Sequence, residues 1–200
     1  MKNKLASIFL GKKQNSFSFK WLWGTLFISI VLPHFAMAQD RYTTRSGEIF
    51  FEASVPSFEP IKATNKETSA VLDVKSGNFA VLALVRGFRF RVALMEEHFN
   101  ENYIESYKFP KTSFKGKIVD FNIDNLSNKP QNFSAVGSLY LHGITKEIEV
   151  PVTILLKEGQ LKLSSIFSVK AEDFNIKIPS LVRKQIAEIV EVKVELDMLP

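Results

Sequence analysis

The chain of 200 residues contains no cysteine. Disulfide scaffolds, thiolate metal sites, cysteine nucleophiles and a lipid-bearing N-terminal cysteine are thereby excluded. Histidine is scarce, and only His98 and His142 lie beyond residue 38. Tryptophan does not occur after Trp23. A Gly-rich phosphate loop, a GxSxG elbow and an HExxH helix are all missing. So is an excess of one charge. Five of the 26 basic residues fall within 1–38, which holds no Asp or Glu, and this leaves 21 basic against 21 acidic side chains. A basic face for nucleic acid therefore has no support in composition.

What is present divides into a leader and one domain. A lysine-bearing start runs into Trp21–Leu32, twelve uncharged residues. A comfortable membrane span needs roughly 20. Pro33 then breaks the run, and Ala36 and Ala38 fit the small-residue pattern of a signal-peptide cleavage site. Residues 1–38 are expected to be a cleaved secretory signal peptide, with Gln39 first in the mature protein. The expected location is the periplasm or the exterior. Residues 39–200 suit a single domain with a sizeable core.

That domain reads as strands. Glu191–Met198 alternates charge and apolar side chain without a break, which puts Val192, Val194, Leu196 and Met198 on one face. Lys146–Ile154 does the same with Ile148, Val150, Val152 and Ile154, and Thr112–Ile118 with Phe114 and Ile118. Further strands are expected over Gly47–Val55, Ser69–Val74, Phe133–Leu141 and Leu161–Val169. Phe79–Val85 is apolar on both faces and is expected to be covered on both. Turn residues separate these runs, among them Ser76-Gly77-Asn78, His142-Gly143 and Glu158-Gly159. Pro151, inside a strand pattern, belongs at an edge, a bulge or a strand start. Val92–Asn102 has helical spacing, and Pro179–Ala187 is a candidate short helix. About eight antiparallel strands with one or two short helices indicate an all-β closed barrel or a sandwich.

Chemistry has few places to reside. His98 and Glu101 would share a helix face, but two ligands do not make a metal site. His142 lacks a visible nucleophile or carboxylate partner, and a histidine bonded across a tight turn, with Gly143 at positive φ, accounts for it. No catalytic residue, metal or cofactor is expected. Phenylalanine is more informative. Of 18, five lie in the leader, and several of the rest cluster in Arg86–Phe99. These are either plain core or the lining of an apolar cavity, because a barrel of about eight strands holds one ligand when side chains do not fill it.

At these residues the chain resembles a known family. Leu94-Met-Glu-Glu-His-Phe-Asn-Glu-Asn-Tyr-Ile-Glu-Ser106, then Lys108-Phe-Pro110 and Phe114-Lys-Gly-Lys-Ile118, is similar to the central block of the YceI-like proteins. Leu139-Tyr-Leu-His-Gly-Ile-Thr-Lys146, followed by Val150-Pro-Val152, is similar to their hairpin motif. The resemblance runs from about Gly47 to Leu199. It implies an extended antiparallel barrel of lipocalin-like shape, a periplasmic setting, and binding of a polyisoprenoid or other amphiphilic lipid. It carries over no catalytic residue. Ile49–Ala63 lacks the histidine many members have in this region, which marks a divergent branch of Bacteroidetes type.

The leading expectation is thus non-catalytic lipid sequestration or transport, with no nucleic-acid partner, membrane contact only during lipid exchange, and a homodimer left open. A cell-envelope interaction module with a filled core is the alternative, and a lipid hydrolase or isomerase using His98 or His142 the third reading. Period-two and helical spacing place Phe88, Phe90, Met95 and Phe99 at the wide end of the barrel. The walls are assigned to Phe114, Ile118, Ile148, Val152, Val192 and Val194. Arg86, Arg89 and Arg91 are candidates for an anionic head group or a solvated strand face. Ile61 and Ala63 are candidates for a lid or rim.

Overall fold

The computed structural model describes residues 40–200, and the expected signal peptide lies outside them. Nine strands follow in order: β1 Arg41–Ser54, β2 Lys62–Asp73, β3 Asn78–Leu84, β4 Arg89–Phe90, β5 Lys111–Ile118, β6 Gln131–Leu141, β7 Ile144–Lys157, β8 Gln160–Lys170 and β9 Ile186–Met198. All their pairings are antiparallel. Eight strands close on themselves in the order β1-β9-β8-β7-β6-β5-β3-β2, the β1–β2 ladder completing the ring. The short β4 continues the line of β3 along β2, pairing Ala63 with Phe90 and Thr64 with Arg89. One helix, α1 Ala93–His98, runs into a wider π turn over Phe99–Tyr103. Of the closed barrel and the sandwich that the alternation leaves open, this is the all-β closed barrel of about eight strands, with the lipocalin-like shape that the family resemblance implies.

Between β3 and β4 the chain leaves the ladder for a 3-10 turn over Val85–Gly87. The amide of Asn65, fully buried, occupies the gap. Its Nδ2 donates to the Leu84 carbonyl at 2.8 Å and its Oδ1 accepts from the Glu67 N–H at 2.8 Å. A Cβ on Gly87 would lie 2.5 Å from the Asn65 Nδ2, so the turn needs glycine for space. The polar stretch Lys62–Thr68 thereby becomes strand, which its composition conceals.

The barrel has two unlike ends. At one, Leu72, Ile118, Ile154, Leu161, Leu196 and Met198 from five strands meet at almost no exposure and fill the interior. The 119–130 connection closes this floor with Phe121, Ile123 and Leu126. At the other end lie the long connections 85–110 and 171–185 and the loop 55–61.

Two expectations are corrected. Pro179–Ala187 is not a helix. Residues 180–185 form successive turns, with Val182 N–H to Pro179 C=O and Gln185 N–H to Val182 C=O, and Ile186 already pairs with Ser54. Strand pairing takes the segment before a second helical turn can form. Phe79–Val85 is covered on one face only. Leu82 and Leu84 point outward and are exposed, because no second layer among the described residues lies outside the sheet there.

Candidate functional site

Above the floor the inward side chains stop meeting. They leave a cavity of about 370 Å³, within the range of about 300–1,000 Å³ usual for ligand pockets. Its walls come from every barrel strand except β2, and its upper end from α1, the π turn and the 171–185 connection. No Asp, Glu, Lys or Arg lines it; His98, Tyr103 and Gln185 are among its few polar residues. Such a lining can take an apolar chain out of water, at about 0.8 kcal/mol per buried CH₂. It offers no paired carboxylates or nucleophile–base pair for acid–base work.

Four phenylalanine rings form the upper wall. Phe51, at the center, lies 5.4 Å from Phe88, 5.7 Å from Phe90 and 5.4 Å from Phe99, the last stacked on it. Phe90 and Phe99 are 5.1 Å apart. Phe88 and Phe90 share a face because they are two apart on an extended chain, and α1 then brings Phe99 back over them. Glu96 fixes this return. Its carboxylate accepts from the Phe90 N–H at 3.1 Å and from the Arg89 guanidinium at 2.7 Å.

Of the ten residues assigned from the sequence, Phe88, Phe90, Met95, Phe99, Phe114, Ile148, Val152, Val192 and Val194 are brought together around this cavity. Ile118 is not. It sits on the correct face of β5 but in the packed floor. Ile61 lines the cavity beside the 55–61 loop, whereas Ala63 is buried within β2 opposite Phe90. The arginines do not reach the cavity. Arg89 is engaged by Glu96 and the Arg86 carbonyl, Arg86 Nε lies 3.4 Å from Ser106 Oγ, and Arg91 is exposed. His98 is exposed on α1 at the cavity edge. Sequence reasoning missed Phe51, Phe167 and the 171–185 side chains Ile176, Ile178 and Val182. For Phe51 the signal was the period-two run Ile49, Phe51, Ala53.

The β7–β8 wall is split beside the cavity. Their ladder runs from Lys157–Gln160 to Thr153–Ser164 and stops. Above it lies Pro151, which has no N–H to donate, and its carbonyl accepts from Ser165 Oγ at 2.6 Å. Pro151 is therefore at a local edge, as its chemistry requires. The chain leaving β8 is tied back across to β7. Lys146 Nζ meets Asp173 Oδ1 at 2.8 Å, and His142 Nδ1 donates to the Phe174 carbonyl at 2.8 Å.

The expected bond of the His142 side chain across its own turn is not made; both ring nitrogens bond to distant segments, one of them to a carboxylate. His142 (φ +49°) and Gly143 (φ +80°) form the two-residue β6–β7 hairpin, with Leu141 paired to Ile144. The buried ring also has its Nε2 at 3.0 Å from Glu105 Oε2 and packs edge-on against Phe109, centroids 4.5 Å apart. One side chain thus joins the hairpin, the segment after the π turn and the start of the 171–185 connection. Among the described residues, no three His, Asp or Glu side chains gather as a metal site.

Comparison with known proteins agrees with this architecture. The sequence pattern of the YceI-like domain matches residues 29–198. No curated protein matches the chain. A polyisoprenoid-binding domain from Saccharophagus degradans, implicated in plant cell wall breakdown, superposes with a TM-score of 0.69 at 12% identity, covering 80% of this chain and 98% of that one. BcnA of Burkholderia cenocepacia gives 0.63 at 16% identity, covering 76% and 96%. A YceI protein of Campylobacter jejuni gives 0.55 at 17% identity, covering 72% and 88%.

Proposed function

The chain belongs to the YceI-like domain family, and on that premise we propose that it binds a polyisoprenoid or similar amphiphilic lipid in the barrel cavity, sequestering or carrying it without catalysis. It does so in the periplasm or outside the cell, with residues 1–38 as its export signal. The observation that carries the reading is the cavity itself: about 370 Å³ of interior bounded by apolar side chains and free of charge. A few prenyl units buried there supply enough free energy for micromolar binding after association costs are met. The alternative, an interaction module with a filled core, draws support from the floor alone.

The test is titration of delipidated protein with a prenyl quinone and with a prenyl phosphate. The wild-type protein binds at micromolar concentration or below. Phe90→Glu and Met95→Glu each place a carboxylate against an apolar wall and weaken binding at neutral pH by at least about tenfold. Folded variants that both keep wild-type affinity would remove the cavity from the function.

A further inference from the structure

His142 is a buried titratable side chain that does not line the cavity. Its ring faces an acceptor on each side. Nδ1 lies 2.8 Å from the Phe174 carbonyl oxygen, and Nε2 lies 3.0 Å from Glu105 Oε2. A carbonyl and a carboxylate only accept hydrogen bonds, and a neutral imidazole carries one N–H. The neutral ring therefore satisfies one contact and leaves lone pair facing lone pair at the other. One further proton between Nε2 and Oε2 completes both, and the imidazolium–carboxylate pair is that state. Burial makes the unsatisfied contact costly, because water does not replace the missing partner.

The two contacts hold the two long connections that cover the cavity. Glu105 follows the π turn of the 85–110 connection, which brings Phe99 and Tyr103 to the cavity. Phe174 stands near the start of the 171–185 connection, which brings Ile176 and Val182. Glu105 has φ +46°, and the Ser106 N–H closes the turn on the Asn100 carbonyl at 2.8 Å. Glycine is the usual residue at such a helix-ending position, so backbone strain is accepted where the carboxylate is presented to the ring. Among the described residues, Glu105 is the one charged group within ion-pair distance of His142. The other charged side chains on the elements around the ring are Lys108, 3.8 Å from Glu105 Oε1, Glu172, which is exposed, and Lys146 and Asp173, which pair with each other at 2.8 Å. None of them is bonded to the ring to stand in for its second proton.

We propose that the second proton on His142 latches the mouth of the barrel and regulates exchange of the cavity's ligand. With both ring nitrogens protonated, the two connections are tied to the β6–β7 hairpin and closed over the cavity. With the ring neutral, one tie is lost and its connection is free to lift. Histidine is the side chain whose charge ordinarily changes between about pH 5 and 8. The latch is present at the acid end of that range and is lost as pH rises, because the tied state binds the extra proton. The inference rests on the lipid-binding reading and supplies its regulation: lipid is held at mildly acid pH and exchanged faster as pH rises.

The experiment follows the purified protein from about pH 5.5 to about pH 8 by two readouts. The first is the ring-nitrogen chemical shifts of histidine-labelled protein without ligand, with His142 assigned by its loss in His142→Asn. Both His142 nitrogens are expected to carry protons at the acid end and one at the other, with amide exchange over 99–109 and 171–185 quickening in step. The second is the rate at which bound prenyl quinone is released, expected to rise at least about fivefold over the same range. In Glu105→Gln the side-chain amide offers its oxygen to a protonated ring and its N–H to a neutral one. That variant is expected to lose the pH dependence of release, although His98 is still present to titrate. His142→Asn, a residue type that tolerates φ +49°, is expected to release fast at every pH. A His142 ring singly protonated throughout, wild-type release that ignores pH, or a Glu105→Gln profile like that of the wild type would overturn the latch. Ring shifts and amide exchange that follow pH in a protein that binds no prenyl quinone would uphold the latch and overturn the lipid cavity instead.

Discussion

The floor and the mouth of this barrel are made by the same strands with the same alternation, yet one is solid and the other hollow. Along β9, Leu196 and Met198 are sealed in the floor, whereas Val192 and Val194, on the same face, border the cavity. Along β5, Ile118 belongs to the floor and Phe114 to the cavity wall. Side-chain size does not distinguish the ends, since phenylalanine is richer at the hollow one. The walls differ instead. At the floor, β7 and β8 are paired and the 119–130 connection packs inward. At the mouth, Pro151 ends that pairing, and the long connections cross the opening without filling it. Period two therefore determines the face a side chain occupies, and the strand partners above and below it determine whether it meets another side chain.

This contrast can be broken most decisively by truncating one residue at each end. Leu161→Ala, in the floor, should cost about 3 kcal/mol of unfolding free energy. Val192→Ala, at the cavity, should cost about 1 kcal/mol, because its side chain already borders open space. Denaturant unfolding of the two variants measures the difference, and equal losses would mean that the ends are packed alike.

A smaller effect tests how rigidly the mouth is held. At Gly143, φ is +80° and an added Cβ would lie 2.5 Å from the Phe109 ring, which itself packs on His142. Gly143→Val should destabilize by about 2 kcal/mol through backbone strain and displacement of that ring. An unchanged melting temperature would show that the hairpin is not fixed by this contact.

The smallest effect sharpens the description of the floor end. Asp73, at the β2–β3 turn, has its carboxyl held below the ordinary range by the Ser76 backbone N–H and then by the Ser76 hydroxyl, with Arg41 adding a lesser attraction. The folded value lies below the unfolded one. Its stabilizing contribution is therefore complete above the unfolded value of about 3.9 and is lost as pH falls through the folded value. Asp73→Asn should remove that part of the acid sensitivity. Wild-type and variant unfolding curves that fall together between neutral pH and pH of about 2 would contradict the assignment.

Much of the molecule was legible before the fold was known. The strand cores, the His142–Gly143 hairpin, the helical return after Val92 and the shared face of Phe88 and Phe90 follow from spacing and turn chemistry. Lys62–Thr68 was not legible, because Asn65 makes its strand possible by hydrogen bonds to Leu84 and Glu67, and Leu84 is distant in sequence. Nor was the central place of Phe51, which depends on rings arriving from β4 and the π turn. The arginines of 86–91 read as head-group candidates, and it is Glu96, folded back by α1, that engages Arg89 instead.

Local chemistry by itself determined that residues 40–200 are mainly antiparallel sheet with little helix, which face of each strand is apolar, and that no familiar catalytic motif is present. These follow from interactions between near neighbors, which a period or a turn residue records directly. Tertiary structure alone decided that the ring closes through β1 and β2, that Ile118 is floor while Phe114 is wall, and that β7 and β8 part at Pro151. The physical reason is that a cavity is a distance between walls contributed by distant segments, and no local spacing encodes that distance.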